Sequence, residues 1–163
     1  MAMRILLLLT ALLLTACGFH LRGQAGMPFN TLYLDAANPG TPFIAELRRN
    51  LEAYKVRLID SANEADVVLN IALEIPEKQI LTLGGSGRVN EFQLRYRVSL
   101  RAYDLKHRDW IPAEEMMLRR DYIYDDTQIL AKEAEEALLY QSMRSDMVQQ
   151  IVRRLSRAKP QPQ

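Results

Sequence analysis

The chain has 163 residues, with 21 basic and 20 acidic side chains, two histidines and one cysteine. This length suits a leader segment followed by one domain with a single core. The formal net charge of +1 gives no broad basic surface, so we do not expect nucleic-acid binding. A lone cysteine excludes an internal disulfide and the usual cysteine and histidine metal sites.

The N-terminus has the pattern of a bacterial lipoprotein signal peptide. Arg4 precedes the apolar run Ile5–Leu14, which is typical of a signal-peptide core and is shorter than the about 20 residues that span a bilayer. The Leu-Thr-Ala-Cys sequence ending at Cys17 resembles a lipobox, in which the cysteine thiol is acylated. We expect residues 1–16 to be removed and Cys17 to carry an N-acyl diacylglycerol. An ordinary secretory signal with a chance cysteine and a buried apolar helix are the alternatives.

The second mature residue indicates the destination of the lipoprotein. Gly18 is not aspartate, the residue that commonly retains bacterial lipoproteins at the inner membrane. The expected location is therefore the periplasmic face of the outer membrane, where several acyl chains hold the protein, since each buried CH₂ contributes about 0.8 kcal/mol. Residues 17–29 read as a lipidated N-terminus and tether, and residues 30–156 as a single domain.

The first elements of that domain are a strand and an amphipathic helix. Residues 31–35 have strand composition, and Thr41 followed by Pro42 is a helix start with a capping hydroxyl. The helix has one apolar stripe, formed by Ile44, Leu47, Leu51 and Tyr54. Residues 56–59 are a possible short strand.

An antiparallel meander is predicted next. Val67 begins an alternating pattern in which Leu69, Ile71, Leu73 and Ile75 share one face, and Pro76 marks a bulge or an edge because it cannot donate to a ladder. The strand resumes at residues 80–83, before the glycine-rich hairpin loop 84–87. A phosphate-binding loop is improbable there, since no Gly-Lys-Ser/Thr sequence and no helix follow.

The next strand has the clearest pattern in the sequence. Apolar residues from Phe92 to Leu100 alternate with polar ones, so one face is buried and the other carries Arg95, Arg97 and Arg101. The arginine face is either a solvated surface or a surface for a partner or an anionic ligand, because arginine suits phosphate and interface contacts. The sequence alone leaves both open.

A further strand over residues 110–124 and a long helix over 128–155 complete the domain, and residues 157–163 read as a flexible tail. The helix has a periodic stripe of Leu130, Ala134, Ala137, Tyr140, Met143, Met147, Ile151 and Leu155. Strand, helix, three strands and helix predict an α/β (α+β) two-layer sandwich, with two helices packed on one face of a four-stranded mixed sheet.

The chain lacks the residues of a catalytic centre. His20 lies beside the acylation site and His107 in a charged turn, and no nucleophile elbow or Ser/His/Asp order occurs. Asp125 and Asp126 precede a helix, where carboxylates commonly act as caps. The protein is therefore expected to be a non-enzyme, without a cofactor other than the lipid.

The residues around Cys17 also carry a family resemblance. Cys-Gly-Phe-His-Leu-Arg from Cys17 to Arg22 is similar to the mature N-terminus of the LPS-assembly lipoprotein LptE family, and weaker likeness extends to about Leu155. The resemblance implies insertion into the LptD outer-membrane barrel as a plug, assistance in assembly of the barrel, and binding of lipopolysaccharide during export to the cell surface. It also implies lipopolysaccharide contacts at Arg88, beside the hairpin loop, and at Lys132, in a Leu-Ala-Lys segment.

A second hypothesis shares the same anchor and the same kind of small domain. In it, the protein is an outer-membrane lipoprotein that activates a periplasmic envelope enzyme. The co-purifying protein separates the two hypotheses, since the first requires a large β-barrel and the second a cell-wall synthase.

Overall fold

The computed structural model describes residues 26–85 and 87–162. Cys17, the predicted signal peptide and most of the predicted tether lie outside the described residues. The described elements are β1 Thr31–Ala36, α1 Pro42–Ala53, β2 Arg57–Leu58, β3 Val67–Leu83, β4 Val89–Tyr103, β5 Asp109–Ile123 and α2 Ile129–Leu155, with 3-10 turns at Ala62–Glu64 and Asp126–Gln128.

One mixed sheet supports the domain, with strand order β2-β1-β3-β4-β5. β1 is parallel to both β2 and β3, whereas β3, β4 and β5 form the predicted antiparallel meander. The mixed sheet and the two helices are confirmed, but the predicted number of four strands is wrong because β2 is a fifth strand. β2 consists only of Arg57 and Leu58, paired with Thr31 and Leu32, and two residues carry too little periodicity for a sequence pattern to establish a strand.

Both helices face the same side of the sheet, here called the inner face. The Phe43 ring on α1 lies 6.2 Å from that of Tyr96 on β4, and Lys78 on β3 contacts Glu136 on α2. The core between these layers includes Leu47 and Met147, both completely buried. Thr41 caps α1 as predicted, since its side-chain oxygen accepts a hydrogen bond from the Ile44 N–H at 3.2 Å.

A β-bulge between Ile71 and Leu73 reverses the side-chain parity of β3. Before the bulge Ile71 pairs with Leu100 on the inner face, and after it Leu73 pairs with Ser99, so Ala72 is the extra residue. The prediction that Leu73 and Ile75 share the buried face with Ile71 is wrong, because the extra residue exchanges the two faces.

Beyond this bulge β3 becomes an edge on one side. β1 pairs with β3 only as far as Ile71, so the remaining residues of β3 to Leu83 have β4 as their one neighbouring strand. Pro76 lies in this half, as predicted for an edge position.

α2 is covered by the sheet over only its second half. Met143, Met147, Val148, Ile151, Val152 and Leu155 are buried. The first half of the predicted stripe is wrong, since Leu130 is 82% exposed and Ala134 and Ala137 are also exposed. Lys132 and Glu136 are less exposed than these apolar residues, because this half of α2 lies over a polar part of the inner face.

The two ends of the domain sequence meet near the start of β5. The ring of Phe29, which is buried, lies edge-on to that of Trp110 with centroids 5.7 Å apart. After α2, Ala158 is buried and the backbone N–H of Gln161 donates to the carbonyl of Asp109 at 2.8 Å. Both chain segments therefore lie at the end of the sheet opposite the 84–87 loop.

Candidate functional site

The glycine-rich loop closes the β3–β4 hairpin and sets the position of Arg88. The Gly84 N–H donates to the Arg88 carbonyl at 2.7 Å, and the Gly87 N–H donates to the Gly84 carbonyl at 2.9 Å. Gly87 has φ +77°, a conformation that glycine adopts without steric cost. The tight turn leaves the Arg88 side chain 72% exposed at the end of the hairpin.

The structure places Arg88 and Lys132 on either side of one acidic turn. A guanidinium nitrogen of Arg88 lies 3.4 Å from a carboxylate oxygen of Asp126, and the Lys132 ammonium lies 2.8 Å from Glu135. Hydrogen bonds from Thr127 and the charge of Lys132 lower the pKa of Asp125. The two predicted lipopolysaccharide contacts therefore share one end of the molecule, and each has a carboxylate partner.

A cavity of about 380 Å³ opens beside Lys132, between the end of β5 and the start of α2. Its wall includes the carboxylates of Glu91, Asp121 and Glu135 and the apolar side chains of Ile123 and Leu139. Lys132 is only 18% exposed at its side chain. An anion that binds here must compete with these carboxylates for the ammonium group.

Beneath this cavity, a polar cluster holds α2 to the sheet. The Lys78 ammonium and the Tyr122 hydroxyl both donate to one carboxylate oxygen of Glu136, at 2.5 and 2.7 Å. Lys78 also lies 4.1 Å from the ring centroid of Phe92, a cation–π distance. Burial raises the pKa of Glu136, but the two hydrogen bonds and the Lys78 charge outweigh it and leave that pKa below its ordinary value.

The pairing of Lys78 with Glu136 is not predictable from the sequence pattern. Lys78 lies on the inner face only because of the bulge at Ala72. No residue pattern in β3 predicts a bulge at that position. Tyr140 adds a second hydrogen bond between α2 and β3, because its hydroxyl donates to the Glu77 carbonyl at 2.8 Å. Burial and the nearby Glu136 charge raise the pKa of Tyr140 to about 12.

The predicted arginine face forms the opposite side of the sheet, here called the outer face. Arg97 bridges two strands, 2.6 Å from Glu77 and 3.3 Å from Glu115. The hydrogen bond to Glu77 is the main cause that raises the pKa of Arg97, so this guanidinium remains charged. Arg101 pairs with Asp109 at 2.7 Å. Its guanidinium also lies 5.0 Å from the ring centroid of Tyr103.

Arg95 differs from these two arginines in its partners. Its Nε–H donates to the side-chain oxygen of Gln93 at 2.9 Å, and the residue directly opposite on β5 is Arg119. No ion pair of either arginine occurs among the described residues. Arg119 is not among the arginines predicted as partner surface, although its alternation with Leu118 places it on the polar side of β5.

Large apolar side chains are exposed near the hairpin end. Their exposed fractions run from 41% to 82%. They are Ile80, Leu81 and Leu83 on β3, Ile123 at the end of β5, and Ile129, Leu130 and Leu138 on α2. Exposed apolar groups next to charged ones are the usual chemistry of contact surfaces.

Other predicted features have structural roles. Asp125 caps the 3-10 turn as predicted, since it accepts a hydrogen bond from the Thr127 N–H at 2.9 Å. His107 lies in the charged turn, in the left-handed region with φ 58°. Within residues 26–85 and 87–162, no helix is long and apolar enough to cross a membrane, and no three acidic, histidine or cysteine side chains group as a metal site.

Comparison of the chain with protein-family models assigns it to a family. A family model described as "LptE: Lipopolysaccharide-assembly" matches residues 29–155, which include all five strands and both helices. The chain belongs to the LptE family. This is a family of non-enzymatic LPS-assembly lipoproteins, so the predicted absence of an enzymatic activity is confirmed.

Related proteins agree with this assignment. The LptE-family chain is 31% identical to the LPS-assembly lipoprotein LptE of Pectobacterium atrosepticum, over 89% of the chain and 80% of that relative. It is 33% identical to the protein of the same name from Yersinia pestis, over 92% of the chain and 73% of that relative. Both comparisons span most of each protein.

Solved structures share the fold. The solution structure of lipoprotein B from Nitrosomonas europaea is 38% identical, with a TM-score of 0.74 over 85% of the LptE-family chain and 90% of that protein. The crystal structure of the rare lipoprotein B from Shewanella oneidensis is 27% identical, with a TM-score of 0.68 over 76% and 92% of the two chains.

Proposed function

We propose that this LptE-family protein is an outer-membrane lipoprotein that forms a complex with the LptD β-barrel, plugs it, assists its assembly and binds lipopolysaccharide during export to the cell surface. The observation that carries the proposal is the family match over residues 29–155. No feature of the described domain favours the activation of a periplasmic enzyme over this function.

The anchor in this proposal is Cys17. The lipobox predicts cleavage after residue 16, acylation of the new N-terminus and attachment on the periplasmic side of the outer membrane. Residues 17–29 then connect the lipid to the domain of residues 30–156, and residues 157–163 follow it. The names of the relatives, which call them lipoproteins, support a lipid anchor.

The outer face of the sheet is the proposed surface for the barrel. Arg95, Arg97 and Arg101 are interspersed there with the apolar side chains of Leu73 and Ile75, which are half-buried. Both helices lie on the other side of the sheet, so this face is open to a partner. Arginine next to apolar groups is enriched in protein interfaces, where it retains hydrogen bonds and also packs.

Co-purification from outer membranes tests the complex. Arg95→Glu combined with Arg119→Glu is expected to reduce recovery of the barrel, because it reverses two charges that have no ion pair within the described chain. Arg48→Glu with Arg49→Glu on α1 is the matched control and should leave recovery unchanged. Thermal stability should change little in either variant, because exposed charges contribute about 0–1 kcal/mol. Recovery of a cell-wall synthase instead of a barrel would refute the proposal.

The proposed lipopolysaccharide contacts are Arg88 and Lys132. Lipopolysaccharide carries phosphates, and a cation at the exposed hairpin end together with one at the rim of the cavity can approach them. Arg88→Glu with Lys132→Glu should weaken lipopolysaccharide binding, and more so at low salt, without abolishing the complex with the barrel. Equal binding by this variant and the wild type across a salt titration would remove both residues from the site. Arg95, Arg97 and Arg101 would then be the next candidates.

A further inference from the structure

A second cavity lies at the opposite end of the domain from Lys132. It has a volume of about 430 Å³ and opens between the start of β5, at Trp110 and Pro112, and the end of α2, at Arg153 and Arg157. Phe29 contacts Trp110, so the cavity lies where the chain enters the domain from the acylation site.

Basic side chains dominate the polar part of this cavity. Arg153, Arg154 and Arg157 line it, and Glu114 is its one carboxylate. Glu114 is already paired with Arg154. Arg153 and Arg157 have no ion-pair partner among the residues that the structure describes. The cavity therefore has two cations whose charge no carboxylate offsets, unlike the site of Lys132.

The helix dipole accounts for only part of this cluster. A cation in the last turn of a helix is stabilised by the C-terminal dipole, and Arg153 and Arg154 fit that role. Arg157 lies beyond the last helical residue, Leu155, and still contributes to the wall of the cavity.

The rest of the cavity wall is mostly apolar and includes a tryptophan, a composition typical of residues that contact lipid headgroups. Trp110, Ile111, Pro112 and Ala158 also line the cavity, so its wall combines apolar groups with guanidinium groups. The indole N–H of Trp110 is buried and has no hydrogen-bond partner among the described residues. Tryptophan and arginine are both favoured at the membrane–water interface, where a side chain needs one apolar and one polar surrounding.

We propose that this cavity binds the phosphate headgroup of an anionic phospholipid in the leaflet that holds the acyl chains of Cys17. Two guanidinium groups bind a phosphodiester through paired N–H donors, and the apolar wall accommodates the glycerol. The choice of a phospholipid rests on the proposed acylation. Free phosphate and the phosphates of lipopolysaccharide present the same chemistry and are separate arms of the test.

Chain length supports the membrane as the source of the ligand. The about 12 residues from Cys17 to Phe29 reach at most about 40 Å when fully extended. The 15 residues of β4 separate this end of the sheet from the hairpin loop by about 50 Å. The tether is therefore shorter than the sheet, and it permits direct contact between the cavity and the anchored leaflet.

The single tryptophan of the chain provides the assay. The purified full-length lipoprotein, in a neutral detergent, is titrated with dihexanoyl phosphatidylglycerol below its micellar concentration while Trp110 emission is followed. A saturable change is expected, and dihexanoyl phosphatidylcholine should bind at least about 10-fold more weakly because its net charge is zero. Arg153→Gln with Arg157→Gln should weaken phosphatidylglycerol binding about 30-fold. Arg48→Gln with Arg49→Gln removes the same charge from α1 and should have no effect.

Three results would overturn the proposal. The Arg153 and Arg157 variant could bind phosphatidylglycerol as tightly as the wild type, inorganic phosphate could bind as tightly as the lipid, or lipopolysaccharide could displace the lipid with a higher affinity. Palmitate labelling and recovery of the barrel, measured on the same variants, test the proposed function separately. A failed titration with normal labelling and normal recovery would reject the headgroup site alone.

Discussion

Removal of the Glu136 carboxylate should destabilise the protein by an amount that depends on pH. Glu136 accepts hydrogen bonds from Lys78 and Tyr122, and the side chains of Lys78 and Glu136 are 33% and 21% exposed. A hydrogen bond to a charged group contributes about 1.5–3 kcal/mol when buried, and an exposed ion pair about 0–1 kcal/mol. At this intermediate exposure we expect Glu136→Ala to lower the free energy of unfolding by about 2 kcal/mol at pH 7.

The sign of the pH dependence follows from the lowered pKa of Glu136. A carboxylate whose pKa is lower in the folded state than in the unfolded state, where it is about 4.3, contributes its stability above that unfolded value. The contribution is lost as the pH falls through the folded pKa. The difference between wild type and Glu136→Ala should therefore be largest at pH 7 and should shrink at pH 3.

Urea unfolding at both pH values measures this difference. Glu133→Ala, on the same helix and exposed, is the control and should change the free energy of unfolding by no more than about 0.5 kcal/mol. Amide hydrogen exchange should also accelerate in the first half of α2 in Glu136→Ala, because no residue before Met143 is buried there. Equal effects of the two substitutions, or a difference that stays the same from pH 7 to pH 3, would refute this role of Glu136.

Three further predictions concern the core, the hairpin and the anchor. Met147→Ala should lower the free energy of unfolding by about 2–5 kcal/mol, since the side chain is fully buried, and urea unfolding measures it. Gly87→Ala should destabilise by about 1 kcal/mol through its positive φ, whereas Gly85→Ala, with open space around its Cα, should have a smaller effect in the same assay. Cys17→Ser should abolish palmitate labelling because serine lacks the thiol that accepts the lipid, and undiminished label would reject the lipobox.

The sequence was sufficient to predict the elements that have a regular residue pattern and uniform burial along their length. β4 alternates without interruption, and Leu94, Tyr96 and Val98 are all buried on the inner face as predicted. The start of α1 was equally clear, because a hydroxyl followed by proline has one common use at a helix N-terminus. In both cases a local rule and the tertiary structure agree.

The sequence was insufficient to predict which residues are buried where burial depends on an element that is distant along the chain. Leu130 has the right spacing for a buried stripe, yet the sheet beneath that half of α2 presents Lys78 and Tyr122, so the polar Glu136 faces it instead. The cavity lined by Arg153 and Trp110 likewise joins residues more than 40 positions apart. Periodicity within one element contains no information about which surface will cover it.

The bulge at Ala72 gives β3 one residue of tolerance in its length. Ala72 has no partner on β4, so its deletion would leave Leu73 opposite Ser99 and Glu74 opposite Val98, and Lys78 would still face Glu136. A second deletion in the same stretch would have no extra residue to absorb it, and Lys78 would turn to the outer face, away from Glu136. In the 84–87 loop, by contrast, an added residue shifts no strand. During the divergence of such proteins, the loss of one residue near Ala72 should therefore be tolerated, whereas the loss of two should be rare.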